Sequence, residues 1–445
     1  MTVIFERRNT PLIAEVTPIP ETRGPHGAVT DDPQQIPSDE PVLVFPDAVD
    51  GDHIENDVDE KHNLMKGASL DFISSFLGDA GGTLGRLPGK TPGTNDSMGT
   101  GPGNGGAGPY GHRIGGDENM RKPGPGGSRT RNRDTEDAVA AALKWLARHQ
   151  NPDGSWGAGT FTRQCRANGC TGAGEAECDA GVTGLSLLSF LGAGFTPLSR
   201  DELVDPLHPA GKFRPADVVR NGIRWILTQQ DPEGCVGGRG PKFMYNHAVA
   251  ALALAEAFGM TGSEVLREPA QRSIDFLVAA QNPGKGWRYG FKSGDNDTSV
   301  TGWAVMALKS AELSDLKFPR TAYDGCRAWF DEVTEESYGR VGYTHKGTGK
   351  VFVPGMNEQF DHHEALTAIG VMSRIFMDKK KGDPRLASGC DLLLRDKPKW
   401  DGNAIDFYYW YYASLALFQY DGPSGAKWKA WNEDMKNVLV KNQNI

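Results

Sequence analysis

The chain has 445 residues, 57 of them Gly and 28 Pro, with a formal net charge of -9 and no basic cluster beyond Lys379–Lys381. That balance lacks the electrostatic footprint of a nucleic-acid binder, so nucleic acid is excluded as a partner. No run approaches the roughly eighteen apolar residues of a membrane span, and the opening MTVIFERRNTPLIAEV has no uninterrupted apolar stretch of the signal-peptide kind. The chain therefore reads as soluble, with an envelope association through an upstream anchor left open.

Residues 1–133 read as a disordered Gly/Pro-rich and acidic linker segment. It contains DAVDGDHIENDVDE at 47–60 and GTGPGNGGAGPYGHRIGG at 99–116, compositions too poor in apolar surface to offset the entropy of ordering. One exception is LMKGASLDFISSFLG at 64–78, where Leu70, Ile73, Phe76 and Leu77 share a helical face. This stretch reads as a stray apolar cluster or a partner-docking helix, and protein partners are expected through this segment.

Residues 134–445 are different, because they repeat. Three stretches align: AALKWLARHQNPDGSWG from Ala141, NGIRWILTQQDPEGCVG from Asn221 and RSIDFLVAAQNPGKGWRYG from Arg272. Trp145, Trp225 and Phe276 coincide, as do Leu143, Ile223 and Ile274, then Leu146, Ile226 and Leu277, and finally Gln150, Gln230 and Gln281. Each stretch predicts an amphipathic helix ending in a Pro/Gly turn. Weaker copies surround Cys326–Phe330 and Cys390–Leu394.

Between these copies lies a second helix type, apolar almost all the way round. Its five members are DAGVTGLSLLSFLG from Asp179, NHAVAALALAEAFG from Asn246, DTSVTGWAVMALKS from Asp297, HEALTAIGVMSRIF from His363 and DFYYWYYASLALFQ from Asp406. A terminal helix near Trp428–Val440 supplies a sixth outer member. Inner helices with so little polar surface favour a closed ring over an open solenoid. The expectation is an all-α fold, an α/α toroid of five to six helical hairpins.

The turn QNPDGSW at Gln150–Trp156 resembles the Gln/Trp repeat of triterpene cyclases, QNPGKGW at Gln281–Trp287 is a close variant, and QDPEGCV at Gln230–Val236 lacks the Trp. The region from Thr135 to Gln443 thus resembles the squalene cyclase and protein prenyltransferase superfamily, including bacterial proteins with prenyltransferase and squalene-oxidase-type repeats. The resemblance implies the toroid, with inner helices around a central cavity and an isoprenoid or other apolar small molecule as ligand.

The motifs that give those enzymes their chemistry are incomplete. The prenyltransferase zinc triad of Asp, Cys and His maps onto Asp297, Ser299 and Tyr409, two of which are poor zinc ligands. The acid motif of the cyclases maps onto GDNDTSV: in one register the central acid is Asn296, and in the other Thr298 replaces the third Asp. Asp295 and Asp297 remain as a candidate acid pair. Nothing in the sequence resembles the Cys-Gly-Glu-Gln thioester of complement-like toroids, since the nearest string, GMNEQ at 355–359, has no Cys. No cofactor is expected.

The residues that begin the inner helices share one rim in a toroid: Asp179, Asn246, Asp297, His363 and Asp406. Such residues act as N-caps, and collectively they converge on a cavity mouth. Asp295, Asp297 and Asp406 are the catalytic candidates. Asp179, Asn246, His247, Trp303, His363, Tyr408, Tyr409 and Tyr412 are the expected cavity lining, aromatic faces being suited to carbocations and apolar ligands alike. Tyr408 and Tyr412, four apart, share a helical face, with Tyr411 alongside. His247, His362 and His363 with Asp297 and Asp406 form a mixed imidazole and carboxylate set. Cys165, Cys170 and Cys178 fit a disulfide, free thiols or a metal site, while Cys326 and Cys390 read as core fillers. The leading functional expectation is a ligand-binding or scaffold module without complete catalytic motifs. The alternative is an isoprenoid cyclase or prenyl-transfer enzyme, with carboxylate-pair carbohydrate chemistry third.

Overall fold

The structure, a computed structural model, describes residues 133–166, 169–346, 364–378, 382–401, 405–422 and 424–443, all within one compact unit. The N-terminal stretch with its helix candidate at 64–78, the string at 355–359, His362 and His363 lie outside the described residues.

Eleven α-helices occur among the described residues. Outer helices are α1 (Arg133–Arg148), α3 (Pro215–Thr228), α5 (Glu264–Ala279), α7 (Thr321–Val333), α9 (Pro384–Arg395) and α11 (Ala426–Asn442). Inner helices alternate with them: α2 (Asp179–Gly192), α4 (Phe243–Thr261), α6 (Thr298–Leu313), α8 (Ala365–Asp378) and α10 (Phe407–Asp421). A short antiparallel hairpin, β1 (Leu203–Val204) with β2 (Lys212–Phe213), interrupts the connection from α2 to α3.

The outer helices bury one stripe each, as their periodicity requires. Leu143 and Leu146 in α1, Ile223 and Ile226 in α3, and Ile274 and Leu277 in α5 are all buried. Three of the inner helices are buried all round: His247–Met260 of α4, Thr298–Ala311 of α6 and Ala365–Met377 of α8 contain no exposed residue. Small residues let these helices approach closely. A Cβ on Gly302 of α6 would overlap the Ile369 side chain of α8.

Successive inner helices are neighbours, α2 against α4, α4 against α6, α6 against α8 and α8 against α10. The last outer helix packs on the first, and Gln443 Nε2 donates to the Ala138 carbonyl at 2.7 Å. Among the described residues no helix is long and apolar enough to cross a membrane.

The repeated turns explain how one hairpin fixes the next. Gln150 Nε2 donates to Gly154 O within its own turn and to Val218 O on α3, both at 2.9 Å. Gln230 Nε2 reaches Gly234 O at 3.4 Å and Pro269 O on α5 at 2.9 Å, and Gln281 Nε2 reaches Lys285 O at 2.6 Å and Ala322 O on α7 at 2.9 Å. One side-chain amide thus satisfies a turn carbonyl and a carbonyl near the start of the next outer helix. The turn tryptophans lock the same joint from inside, Trp156 Nε1 donating to Leu146 O and Trp287 Nε1 to Leu277 O, each at 2.8 Å. At Gly154 and Gly234 φ is +98° and +97°, and a Cβ would overlap the carbonyl of Asn221 or Arg272 on the next outer helix. Only glycine meets both conditions.

Candidate functional site at the inner-helix rim

The described first residues of the inner helices do three different things. Asp297 and Asp406 are N-caps: Asp297 Oδ1 accepts from Val300 N at 2.8 Å and Asp406 Oδ1 from Tyr409 N at 2.9 Å. Asp179 is the first residue of α2 and accepts instead from Ala158 N at 2.7 Å, tying the Gln150–Trp156 turn region to the inner helix. Asn246 lies one turn inside α4, which begins three residues earlier at Phe243 than the repeat alignment suggests. Its side chain serves the neighbouring helix start, accepting from Gly181 N at 3.1 Å and donating to Glu177 O at 2.7 Å. His363 falls outside the described residues.

Asp297 is fully buried and sits in a nest of hydroxyls. Its Oδ1 also accepts from Ser299 Oγ at 2.8 Å, and Ser299 in turn accepts from Tyr245 of α4. Oδ2 lies 3.4 Å from the Tyr343 hydroxyl, which pairs with the Tyr289 hydroxyl at 2.6 Å. Burial pushes the Asp297 carboxyl above its usual range, against the opposing pull of the Val300 amide, the Ser299 hydroxyl and the Arg288 cation. The phenols of Tyr245, Tyr343 and Tyr408 are raised chiefly by the same desolvation, so the nest is neutral apart from Asp297 and Arg288.

A layer of rings adjoins this nest. Trp303 of α6 stacks on Tyr411 of α10 at 5.8 Å between centroids and meets Tyr412 edge-on at 5.4 Å. Tyr412 in turn meets Tyr408 edge-on at 5.0 Å. The hydroxyls of Tyr408 and Tyr412 are buried, and Tyr408 interacts with both Tyr245 and Tyr412. Tyr245, Tyr289, Tyr408 and Tyr411 are half-buried, as are Val182 and Leu185 on α2. Partly exposed aromatic surface therefore lies beside Asp297.

Three expectations are corrected by this geometry. His247 does not line a cavity: it is buried between the Val236 turn and α5, its Nδ1 accepting from Val236 N at 3.1 Å and its Nε2 donating to Ser273 O at 3.0 Å. Burial lowers its imidazole to about 4, so it stays neutral and structural. Tyr409 likewise turns outward, donating to Leu393 O on α9 at 3.0 Å and meeting the Trp431 ring of α11 edge-on. With Tyr409 facing away, the Asp297, Ser299 and Tyr409 positions do not converge as a zinc triad. Nor do Asp295 and Asp297 form an acid pair: Asp295 is 71% exposed, and Arg288 reaches between the two carboxylates, 3.5 Å from Asp295 and 4.0 Å from Asp297. A cation rather than a shared proton relates them.

Sequence reasoning missed Tyr245, Arg288 and Tyr343 as members of the nest. Tyr245 directly precedes Asn246, and Arg288 directly follows Trp287, so each borders a repeat landmark; Tyr343 has no repeat signal and reaches Asp297 from the connection after α7. No protein-family model matches the chain, and no curated protein matches it.

Proposed function

We propose that the helical region is an α/α toroid of the terpenoid cyclase and prenyltransferase type that binds an apolar small molecule, without transforming it. The observation that carries this reading is the state of Asp297. Its Oδ1 is committed to Val300 N and Ser299 Oγ, and its Oδ2 faces Tyr343 and Arg288, so the carboxyl is held as a helix cap. A protonating acid needs a free oxygen aimed at the substrate. Half-buried Tyr408 and Tyr411 present aromatic surface to an apolar body, with the buried rings of Trp303 and Tyr412 packed behind them. Support for ring closure comes from the packing of successive inner helices and of α11 on α1.

Native mass spectrometry with organic extraction of protein purified from its own host tests this reading. A retained apolar molecule is expected, with occupancy reduced about tenfold by Tyr411→Ala, which removes one stacked face. Empty wild-type protein, or occupancy indifferent to Tyr411, would contradict it.

A second reading, an isoprenoid cyclase or prenyl-transfer enzyme, draws on one observation: burial raises the Asp297 carboxyl and so favours its protonated form. It requires turnover of squalene or a prenyl diphosphate that disappears in Asp297→Asn.

A further inference from the structure

The connection from α1 to α2 holds three metal-ligating side chains that the rim does not use. His149 follows directly on the end of α1, and Cys165 and Cys170 lie beyond the 3-10 turn Phe161–Gln164. One ligand atom from each, His149 Nε2, Cys165 Sγ and Cys170 Sγ, falls within 4.8 Å of the other two. Tetrahedral zinc with two sulfur ligands and one nitrogen ligand spaces such atoms about 3.6 to 3.8 Å apart. The observed spacings bracket that geometry, so side-chain adjustments of about 1 Å or less reach it.

The histidine is already set for coordination. Its Nδ1 lies 2.7 Å from the Trp145 carbonyl, which can only accept, so the ring proton sits on Nδ1. The Nε2 lone pair is therefore directed at Cys170 Sγ, 3.2 Å away. A backbone carbonyl on the far ring nitrogen is the usual outer partner of a metal-bound imidazole, fixing both its tautomer and its orientation. The ring is further held by stacking on Trp145 at 3.9 Å and by Phe161 at 6.3 Å, which form an apolar wall. Two thiolates and a neutral imidazole around a divalent ion sum to zero charge, which suits such a wall.

We propose that His149, Cys165 and Cys170 bind one zinc ion, with water in the fourth position, and that the ion staples the α1–α2 connection. Among its described residues, the long excursion between these helices contains two short 3-10 turns, Phe161–Gln164 and Ala176–Cys178. Long connections of that kind are uncommon unless something holds them. Soft sulfur donors with imidazole select zinc over the oxygen-preferring cations. On binding, the two thiol protons leave to solvent, no electrons move and the ion remains divalent. The sequence carries a trace of the site, because His149 departs from the repeat: its counterparts before the repeated Gln are Gln229 and Ala280.

The test uses the full chain purified under reducing conditions from zinc-supplemented medium, with metal counted by elemental analysis and zinc then exchanged for cobalt. One zinc per chain is expected, and the cobalt form should show a thiolate-to-metal charge-transfer band. Both signals should be lost in Cys165→Ser, Cys170→Ser and His149→Ala, and kept in Cys178→Ser, whose thiol is exposed and outside the cluster. Circular dichroism checks that the variants fold, and the wild-type cobalt spectrum decides the matter if they do not. The proposal is overturned by wild-type protein that holds no metal with its thiols titrating as free, by an intact mass two hydrogens lighter from a Cys165–Cys170 disulfide, or by loss of the metal in Cys178→Ser.

Discussion

The turns that join the hairpins and the rim where the inner helices begin are built from the same repeat, yet they use it in opposite ways. At the turns, Gln150, Gln230 and Gln281 make equivalent pairs of bonds, and Trp156 and Trp287 repeat one another's indole bond at the same length. At the rim, aligned positions diverge: Asp297 and Asp406 cap their own helices, Asp179 holds a turn, and Asn246 serves the start of the neighbouring helix. Where a solution recurs in every repeat it is architecture. Where aligned positions part company, local demands other than the repeat have set them, and both candidate sites lie at such places.

That contrast can be broken most forcefully at the turns. Trp287→Ala removes a fully buried ring and its bond to Leu277 O, and is expected to cost about 3–5 kcal/mol in chemical denaturation. A cost below roughly 1 kcal/mol would mean that the turn does not hold the hairpins together.

His247 sharpens the contrast, since it stands at the one turn that has lost its Trp. Its folded imidazole titrates at about 4, against 6.5 ordinarily, so the unfolded chain binds the proton more readily. The stability this contributes is complete above pH 6.5 and is lost as pH falls towards 4, with a span of roughly 3 kcal/mol. Denaturation curves between those limits should show a fall that flattens in His247→Gln; an unchanged slope in the variant would place the proton elsewhere.

A smaller effect is expected at Gln230. Gln230→Ala removes one donor from the Pro269 and Gly234 carbonyls, the former still accepting from Ser273 Oγ, and should cost about 0.5–1.5 kcal/mol. Gln150→Ala, at the equivalent place, should cost a similar amount, and a large disparity would argue against architectural equivalence.

How far the sequence could be read follows the same division. The alternation of α1–α11 was legible because burial on one stripe or on all sides imposes a period on the apolar residues. The start of α4 was not, since Phe243–Tyr245 extend the helix beyond the aligned Asn246 without disturbing the pattern. The direction in which His247 and Tyr409 point was also illegible. An inner helix buried all round has no polar face to mark which side meets the outer layer, so those two bonds to α5 and α9 depend on tertiary packing. Tyr408, Tyr411 and Tyr412 could be grouped from helical spacing alone, whereas their meeting with Trp303 of α6 depends on how α10 is set against helices far from it in the chain.

The central claim is that Asp297 caps α6 beside a binding surface and does not deliver a proton. Asp297→Asn tests it most directly, because an amide oxygen still accepts from Val300 N and Ser299 Oγ while the carboxyl proton is gone. Native mass spectrometry of the variant from its own host should find the same retained molecule at occupancy within about twofold of wild type, with stability changed by less than about 1 kcal/mol. Accumulation of a different, unconverted molecule in the variant would contradict the account and identify Asp297 as a working acid.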